Sequence, residues 1–201
     1  MSDKILITIS REFGSEGHEI GKLLATKLGI ELCDKDLLYK VAERNGLEVK
    51  ELASVDETVT KRFLQPYATI GFDYGSINDK LFKLQSSYIR EIADRQSCII
   101  VGRLADYILK DNPDCIKVFV YAPFETRVEI IEKKHGISRE AARKLVKKMD
   151  AARKEYYSYY SNERWDSRDN KDVFLNRGTL GVEGCVEALY AIVRKKKALP
   201  E

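Results

Sequence analysis

The chain has 201 residues, of which 44% are hydrophobic and 33% are charged. This length and balance fit one compact α/β domain and exclude a chain that is mainly disordered. Lysine and arginine exceed aspartate and glutamate by only three, 35 against 32, which is too small an excess to predict binding to nucleic acid or to a membrane surface.

The first predicted unit is a strand followed by a helix. The run at residues 4–10 is apolar and rich in β-branched residues, which indicates a buried strand. A segment with two glycines follows, and the chain then shows the period of a helix that ends at Gly29. The predicted buried face of that helix is formed by Ile20, Leu23, Leu24 and Leu28.

The next segments are a short strand at 30–33 and a helix that Asp34 can cap and that ends near Gly46. Residues 46–78 are less regular, and we interpret them as a mobile insert with short helices. A long helix is predicted from residue 78 to residue 95. Its expected buried stripe is Leu81, Leu84, Tyr88 and Ile92.

The second half of the chain repeats the alternation of strands and helices. Apolar strands are predicted at 98–101 and 116–121, the second followed by a helix. A long charged helix then runs from Ser138 to about Tyr160, and the chain ends with a strand at 172–175 and a helix that starts at Val182. Five such strands joined by helices imply right-handed βαβ units and a parallel sheet covered on both faces.

In parallel sheets of this kind, ligands bind beyond the carboxyl ends of the strands. The segment after the first strand has the architecture of an anion site, because its residues Gly14 and Gly17 join the strand to a helix N-terminus. It does not match the Walker A pattern G-x-x-x-x-G-K-[ST], since Lys22 lies more than a turn inside the helix. Arg11 and His18 are candidates for the missing cation. The alternative is an ordinary turn between strand and helix.

With these features in place, the whole chain resembles the bacterial cytidylate kinase-like family, a divergent branch of the nucleoside monophosphate kinases with the P-loop fold. Residues 7–21 are similar to that family's variant phosphate loop, which lacks the Walker lysine. Glu16 stands where the family usually has glycine, and His18 stands where it usually has arginine. A carboxylate in a phosphate site is repulsive unless it faces a cation or a metal ion.

The resemblance implies ATP and Mg²⁺ as cofactors and assigns roles to the loop. True cytidylate kinases have their lysine where this chain has Gly17 and their metal-binding hydroxyl where it has Glu19, which makes Glu19 the candidate metal ligand. His18 is also a candidate catalytic residue, together with Arg11. The predicted cofactor-binding residues are Gly14, Ser15, Glu16, Gly17, His18 and Glu19.

Two further segments resemble the part of the family that holds the acceptor nucleotide. The resemblance gives substrate contacts to Asp34, Tyr39 and Lys40, with Lys40 gripping the monophosphate. An ordinary helix cap with an exposed lysine is the alternative. Arg103 resembles a strand-end arginine that contacts the acceptor, and it also directly follows an apolar strand at the edge where ligands are expected. We therefore predict that Arg103 binds substrate and takes part in catalysis.

The long helix resembles the family's lid, in which arginines close over the transferring phosphate. This implies a catalytic role for Arg153 and a substrate contact for Asp150. For most of the basic region at 132–160, an ordinary solvated face is the alternative. Residues 175–181 resemble the family's final strand and loop, which passes near the donor adenine.

The predicted function is transfer of the γ-phosphoryl group of ATP to a nucleoside monophosphate, with CMP or dCMP as the first expectation. One domain, residues 1–201, would include an acceptor-binding insert at 46–78 and a lid at 132–160. The partners are small-molecule nucleotides rather than nucleic acid or a membrane, and the oligomeric state is left open. The charges assigned to the transferring phosphoryl group are Arg11, His18, Lys40, Arg103, Arg127 and Arg153.

Two other functions stay open at this stage. The divergent loop favours a nucleotide-binding regulatory module that has little or no kinase activity, whereas the lid and acceptor-site charges favour the enzyme. RNA binding through the basic helix is disfavoured by the acidic residues that interrupt it and by the small net charge.

The sequence also bears on the cellular location. No apolar run approaches the roughly 20 residues of a membrane span, and the N-terminus lacks the pattern of a signal peptide. The four cysteines show no zinc-site spacing. We therefore expect a cytoplasmic protein in which most of these thiols are buried and free, at Cys33, Cys98, Cys115 and Cys185.

Overall fold

The structure is a computed structural model, and it describes residues 4–33 and 77–197. The strands are β1 (Leu6–Arg11), β2 (Glu31–Cys33), β3 (Cys98–Val101), β4 (Cys115–Tyr121) and β5 (Val173–Asn176). The helices are α1 (Gly17–Leu28), α2 (Ile77–Arg95), α3 (Ala105–Ile108), α4 (Phe124–His135), α5 (Arg139–Ser161) and α6 (Arg177–Lys197), the last of which bends at Gly181.

All five strands are parallel and form one sheet in the order β2-β3-β1-β4-β5. Strand β1 therefore lies between β3 and β4, with Ile9 opposite Val101 and Arg11 opposite Val120. The carboxyl ends of these three strands meet at one edge, which brings the segments after β1, β3 and β4 together. The predicted five-stranded parallel sheet is confirmed.

Each face of the sheet has its own core. Successive side chains of a strand point to opposite faces, so Ile7 of β1 packs with residues of α1 and α6, while Leu6 packs with residues of α2, α3 and α5. A third, smaller core joins α4 to α5 around Val128 and Val146. Helices thus cover both faces, as the sequence predicts.

The predicted buried face of α1 is wrong at one position. Leu23 is 37% exposed, whereas Gly17 and Gly21 are buried. A Cβ atom at Gly21 would lie 3.1 Å from the Val101 side chain and 3.2 Å from that of Ile9. Helix α1 therefore approaches the sheet through glycine, a contact that a count of apolar residues does not register.

The predicted stripe of α2 is rotated by one position. The residues that are almost fully buried are Gln85, Ile89 and Ala93, while Leu84, Tyr88 and Ile92 are only partly buried. The polar Gln85 lies at the centre of this face because its amide has a hydrogen-bond partner within the protein. Helix α3 was not predicted from the sequence.

Other expectations hold. Ser138 caps α5, accepting a hydrogen bond from the Ala141 amide at 3.3 Å. The four cysteines are free and buried. Among the helices of the two described ranges, none combines the length and apolar character required to cross a membrane. The helix expected after Asp34 and most of the insert at 46–78 lie outside the described residues.

Candidate functional site

The loop between β1 and α1 is a tight turn held to the end of β4. Gly14 and Glu16 both have positive φ, +82° and +55°. Ser15 between them is fully buried, and its hydroxyl has two acceptors within hydrogen-bond distance, the carbonyl oxygens of Glu12 at 2.9 Å and Val120 at 3.1 Å. Because its hydroxyl binds backbone carbonyl oxygens, the Ser15 side chain stabilises the conformation of the loop.

The first turn of α1 presents backbone N–H groups at this edge. The first hydrogen bond of the helix runs from the Ile20 amide to the Glu16 carbonyl oxygen at 3.0 Å. The amides of residues 17–19 therefore have no acceptor inside the helix. A Cβ atom at Gly17 would lie 2.7 Å from the Cβ atom of Arg11, so the loop backbone packs directly against Arg11. This is the backbone arrangement of an anion site.

Glu16 faces a cation. Its carboxylate forms an ion pair with the guanidinium of Arg177, the first residue of α6, and both side chains are mostly buried. The repulsion that a carboxylate would exert on phosphate is thus offset by an arginine more than 150 residues away in the sequence. Sequence reasoning missed Arg177, although it lies in the segment that resembles the family's final loop.

The turn after β3 is strained. Gly102, Arg103 and Leu104 have φ values of +75°, +59° and +53°, and the turn is closed by a hydrogen bond from the Ala105 amide to the Gly102 carbonyl oxygen at 3.0 Å. Non-glycine residues in this left-handed region cost about 1 kcal/mol or more each and persist where the surroundings fix them. Such strain is concentrated at functional sites.

Arg11 extends across this turn. A Cβ atom at Gly102 would lie 1.9 Å from Nη1 of Arg11, so only glycine leaves room for the guanidinium in this position. The backbone of Arg11 is bound as well, because Arg153 Nη1 of α5 donates to its carbonyl oxygen at 2.8 Å. These contacts bring Arg11, Arg153 and the Arg103 turn to one place.

Arg103 and Arg153 differ in their surroundings. Within residues 4–33 and 77–197, no carboxylate lies within ion-pair distance of the Arg103 guanidinium. Arg153 lies over the ring of Phe13, 5.4 Å from its centroid. Burial lowers the pKa of Arg153 to about 10, with Asp150 opposing and Arg127 adding to that change. Arg153 is therefore a cation at neutral pH in a partly desolvated place.

Arg127 is bound within the protein through its Nε and Nη1 atoms. Its Nε donates to Ala122 O at 3.0 Å and pairs with Glu12 Oε2 at 3.0 Å, and its Nη1 contacts Phe13 O at 3.1 Å and Asp150 Oδ2 at 2.5 Å. These contacts give Arg127 a structural role, and its assignment to the transferring phosphoryl group stays a prediction. Arg127 ties the phosphate loop, α4 and α5 together.

The same cluster uses both oxygens of Asp150. Its Oδ1 accepts from the Phe13 amide at 2.8 Å, and Oδ2 binds Arg127. Burial raises the pKa of Glu12, while a hydrogen bond from the Ala122 amide and the charge of Arg127 act in the opposite direction. Asp150 thus holds the β1–α1 loop against α5, and its predicted contact with substrate stays a prediction.

The remaining site residues are placed as follows. His18 and Glu19 lie on the exposed side of the first turn of α1. Asp34, Tyr39 and Lys40 lie outside the described residues. The structure therefore assembles the phosphate loop with Arg11, Arg103 and Arg153.

Glu19 fits the way proteins hold Mg²⁺. The described part of the chain contains no group of three side chains placed to bind a metal ion. Magnesium is usually held by one or two carboxylates together with substrate phosphates and water, rather than by an all-protein cage. A single exposed carboxylate beside an anion-binding loop is compatible with that mode, in which the nucleotide would supply the other ligands.

The model of the Cytidylate kinase-like family matches residues 6–179. A cytidylate kinase of Archaeoglobus fulgidus is 27% identical over 194 residues, covering 95% of this chain and 96% of its own. A cytidylate kinase of Methanocaldococcus jannaschii is 24% identical over 197 residues, covering 96% and 99%.

Solved structures share the fold. An uncharacterized protein from Eubacterium ventriosum has a TM-score of 0.74 and 27% identity, covering 94% of this chain and 98% of its own. Shikimate kinase from Bacteroides thetaiotaomicron has a TM-score of 0.56 and 15% identity, with 94% and 98% covered. A gluconokinase from Sinorhizobium meliloti has a TM-score of 0.57 and 12% identity, with 98% and 96% covered. The architecture is that of P-loop kinases, and the chain belongs to the cytidylate kinase-like family.

Proposed function

We propose that the protein transfers the γ-phosphoryl group of ATP to a nucleoside monophosphate, with CMP or dCMP as the preferred acceptor. The observation that supports this most is the convergence of Arg11, Arg103 and Arg153 beside the phosphate loop, at the sheet edge where ligands bind. The family membership and the names of the archaeal relatives support the same reaction class.

The three arginines would act on charge and position. Phosphoryl transfer requires little covalent chemistry from the protein and depends on positive groups around the transferring phosphoryl and on in-line placement. A guanidinium presents paired donors that match phosphate oxygens. Arg103 is suited to the acceptor phosphate because no described carboxylate neutralises it. Arg153, partly desolvated, would interact with negative charge more strongly than an exposed cation.

The loop would bind the donor phosphates through the amides of residues 17–19, with the Arg11 guanidinium and the His18 side chain as further phosphate contacts. Mg²⁺, held by Glu19 and the nucleotide, would neutralise charge on the phosphate oxygens. In the same proposal, Lys40 grips the acceptor phosphate, residues 46–78 enclose the acceptor, and residues 132–160 act as a lid. The four buried thiols support a cytoplasmic location, where free cysteines persist.

One observation favours a second candidate. The β1–α1 loop lacks the Walker lysine, and its residue Glu16 forms an ion pair with Arg177. If that pair leaves too little positive charge for catalysis, the protein would be a nucleotide-binding regulatory module with little or no kinase activity.

A coupled assay of ADP release with ATP and Mg²⁺, run across CMP, dCMP, UMP, AMP and GMP, distinguishes the two. The kinase proposal predicts acceptor-dependent ADP release that is fastest with CMP or dCMP. ATP and CMP binding by calorimetry, with no ADP release above the background of an acceptor-free sample, would overturn the enzyme and favour the binding module.

The loop itself is tested by Gly17→Ala. The added Cβ atom collides with the Cβ atom of Arg11, so the loop must shift and ATP binding should fall at least tenfold. Gly184→Ala is the matched control, because it also adds a methyl group to a helical glycine, in α6, where the added Cβ atom would lie 3.3 Å from Leu180 Cβ of the same helix. Equal ATP affinity in both variants would contradict the loop assignment.

A further inference from the structure

We propose that Gln85 of α2 is a positioning residue for Arg103, holding the left-handed turn so that the guanidinium faces the acceptor. This inference rests on the proposed function, since it gives Gln85 a role in that same site. The structural part, that Gln85 fixes the turn, can be tested without any activity.

Gln85 is an unusual residue for its place. It is 2% exposed and lies on the buried face of α2 together with Ile89 and Ala93. Burying an amide costs free energy unless it is hydrogen-bonded. An apolar side chain would serve packing alone at this position, so the amide must be explained by what it binds.

Its partner is the backbone of Arg103 itself. Nε2 of Gln85 donates to the Arg103 carbonyl oxygen at 3.1 Å. Arg103 and Leu104 are both in the left-handed region, a conformation that each adopts only when the surroundings impose it. The hydrogen bond from Gln85 reaches the strained peptide from a neighbouring helix and opposes its relaxation.

Gln85 also connects the turn to the predicted lid helix. Burial raises the pKa of the Tyr156 hydroxyl, and the charge of Arg103 and a hydrogen bond with the Gln85 side chain oppose that rise. Tyr156 lies one turn of α5 after Arg153, which binds the carbonyl oxygen of Arg11. Gln85 thus lies where α2, the Arg103 turn and α5 meet.

The contact between these helices continues one turn away. The rings of Phe82 of α2 and Tyr160 of α5 stack with centroids 4.0 Å apart, and Tyr156 packs edge-on against Tyr160 at 5.1 Å. The stack of Phe82 on Tyr160 packs α2 against α5, and the contact of Tyr156 with Tyr160 lies within α5. The amide of Gln85, one turn away, instead binds the Arg103 carbonyl oxygen of the turn.

Gln85→Met tests the proposal, because methionine has a similar length and no N–H group. Ser86→Ala is the matched control: Ser86 is the adjacent buried polar residue, but its hydroxyl donates to Phe82 O of its own helix at 2.7 Å. The first measurement is the hydrogen-exchange rate of the Ala105 amide, which closes the turn. We expect that rate to rise about 5- to 10-fold in Gln85→Met and to stay within twofold in Ser86→Ala.

The second measurement is a double-mutant cycle on kcat/KM with CMP. We expect Gln85→Met to lower kcat about tenfold with a smaller change in KM, and to have less than a twofold effect once Arg103→Ala is present. A residue that acts only on global stability would reduce kcat/KM by the same factor in both backgrounds. That result, or an unchanged Ala105 exchange rate, would overturn the proposal.

The two measurements, amide exchange and enzyme kinetics, separate this inference from the proposed function. A wild-type protein that releases no ADP with any acceptor refutes the kinase, and the exchange rate of Ala105 then decides whether Gln85 fixes the turn. If Gln85→Met does not fold, Gln85→Asn replaces it, because the amide is retained but withdrawn by one methylene. The same rise in the Ala105 rate is expected, and an unchanged rate counts against the proposal.

Discussion

Two of the arginines at the carboxyl edge of the sheet, Arg127 and Arg103, have opposite surroundings. Arg127 is almost fully buried and contacts two carboxylates and two carbonyl oxygens. Arg103 lies on a strained turn, and no carboxylate of the described ranges pairs with it. The difference indicates that one residue type at this edge can serve two roles, one in holding the structure together and one, as we propose, in binding a ligand.

Charge balance explains the contrast. Glu12, Asp150 and Arg127 satisfy one another, so a phosphate would have to compete with carboxylates already in place for that guanidinium. No carboxylate of the described residues pairs with Arg103, so its positive charge is available to a ligand. We infer that Arg127, which pairs with two carboxylates, holds the loops together and that Arg103, which pairs with no carboxylate of the described residues, binds substrate.

The largest expected effect is on the paired arginine. Arg127→Met leaves the carboxylates of Glu12 and Asp150 partly buried without their cation, which should lower the free energy of unfolding by about 3–5 kcal/mol. Denaturant unfolding monitors this change. Arg143→Met is the control, because Arg143 pairs with Glu125 at the exposed surface and should change stability by less than about 1 kcal/mol. A loss below 1 kcal/mol for Arg127→Met would remove the structural assignment.

The next prediction separates strain from function. Gly102→Ala and Gly136→Ala both place alanine at positive φ, +75° and +62°, and each should lose about 1–2 kcal/mol of stability. Only Gly102→Ala adds a Cβ atom against the Arg11 guanidinium, since nothing lies within 4 Å of a Cβ atom at Gly136. We therefore expect ADP release to fall at least tenfold in Gly102→Ala alone. Equal activity in both variants would exclude a role for Arg11.

The smallest expected effect concerns pH. Because burial raises the pKa of Glu12, the folded protein holds that proton more tightly than the unfolded chain. The stability that Glu12 contributes is therefore fully present below its ordinary pKa near 4.5 and is lost as pH rises through the raised folded value. The unfolding free energy of Glu12→Gln, minus that of the wild type, should increase between pH 4 and 7. A decrease over that interval would mean that Arg127 outweighs burial.

The sequence predicts the sheet and the position of the site at its edge better than it predicts which charged side chains pair with one another. Apolar runs and their spacing suffice to predict the parallel sheet and to place Arg103 at its edge, because a strand ends where its apolar run ends. They do not predict that Arg127 is neutralised, since its partners Glu12 and Asp150 are 115 residues before and 23 residues after it in the sequence. Gln85 was missed for a related reason: periodicity assigns polar residues to the surface unless a buried partner is known.

The proposed substrate contact of Arg103 is tested most directly by measuring kcat/KM with CMP and the free energy of unfolding on the same preparations of wild type and Arg103→Ala. We expect turnover efficiency to fall by roughly 30- to 1,000-fold, about 2–4 kcal/mol of transition-state stabilisation, while the unfolding free energy changes by less than about 0.5 kcal/mol. Arg103→Lys should recover only part of the loss, because an ammonium cannot reproduce the paired donors. Full activity in the folded fraction of a destabilised Arg103→Ala protein would contradict the account.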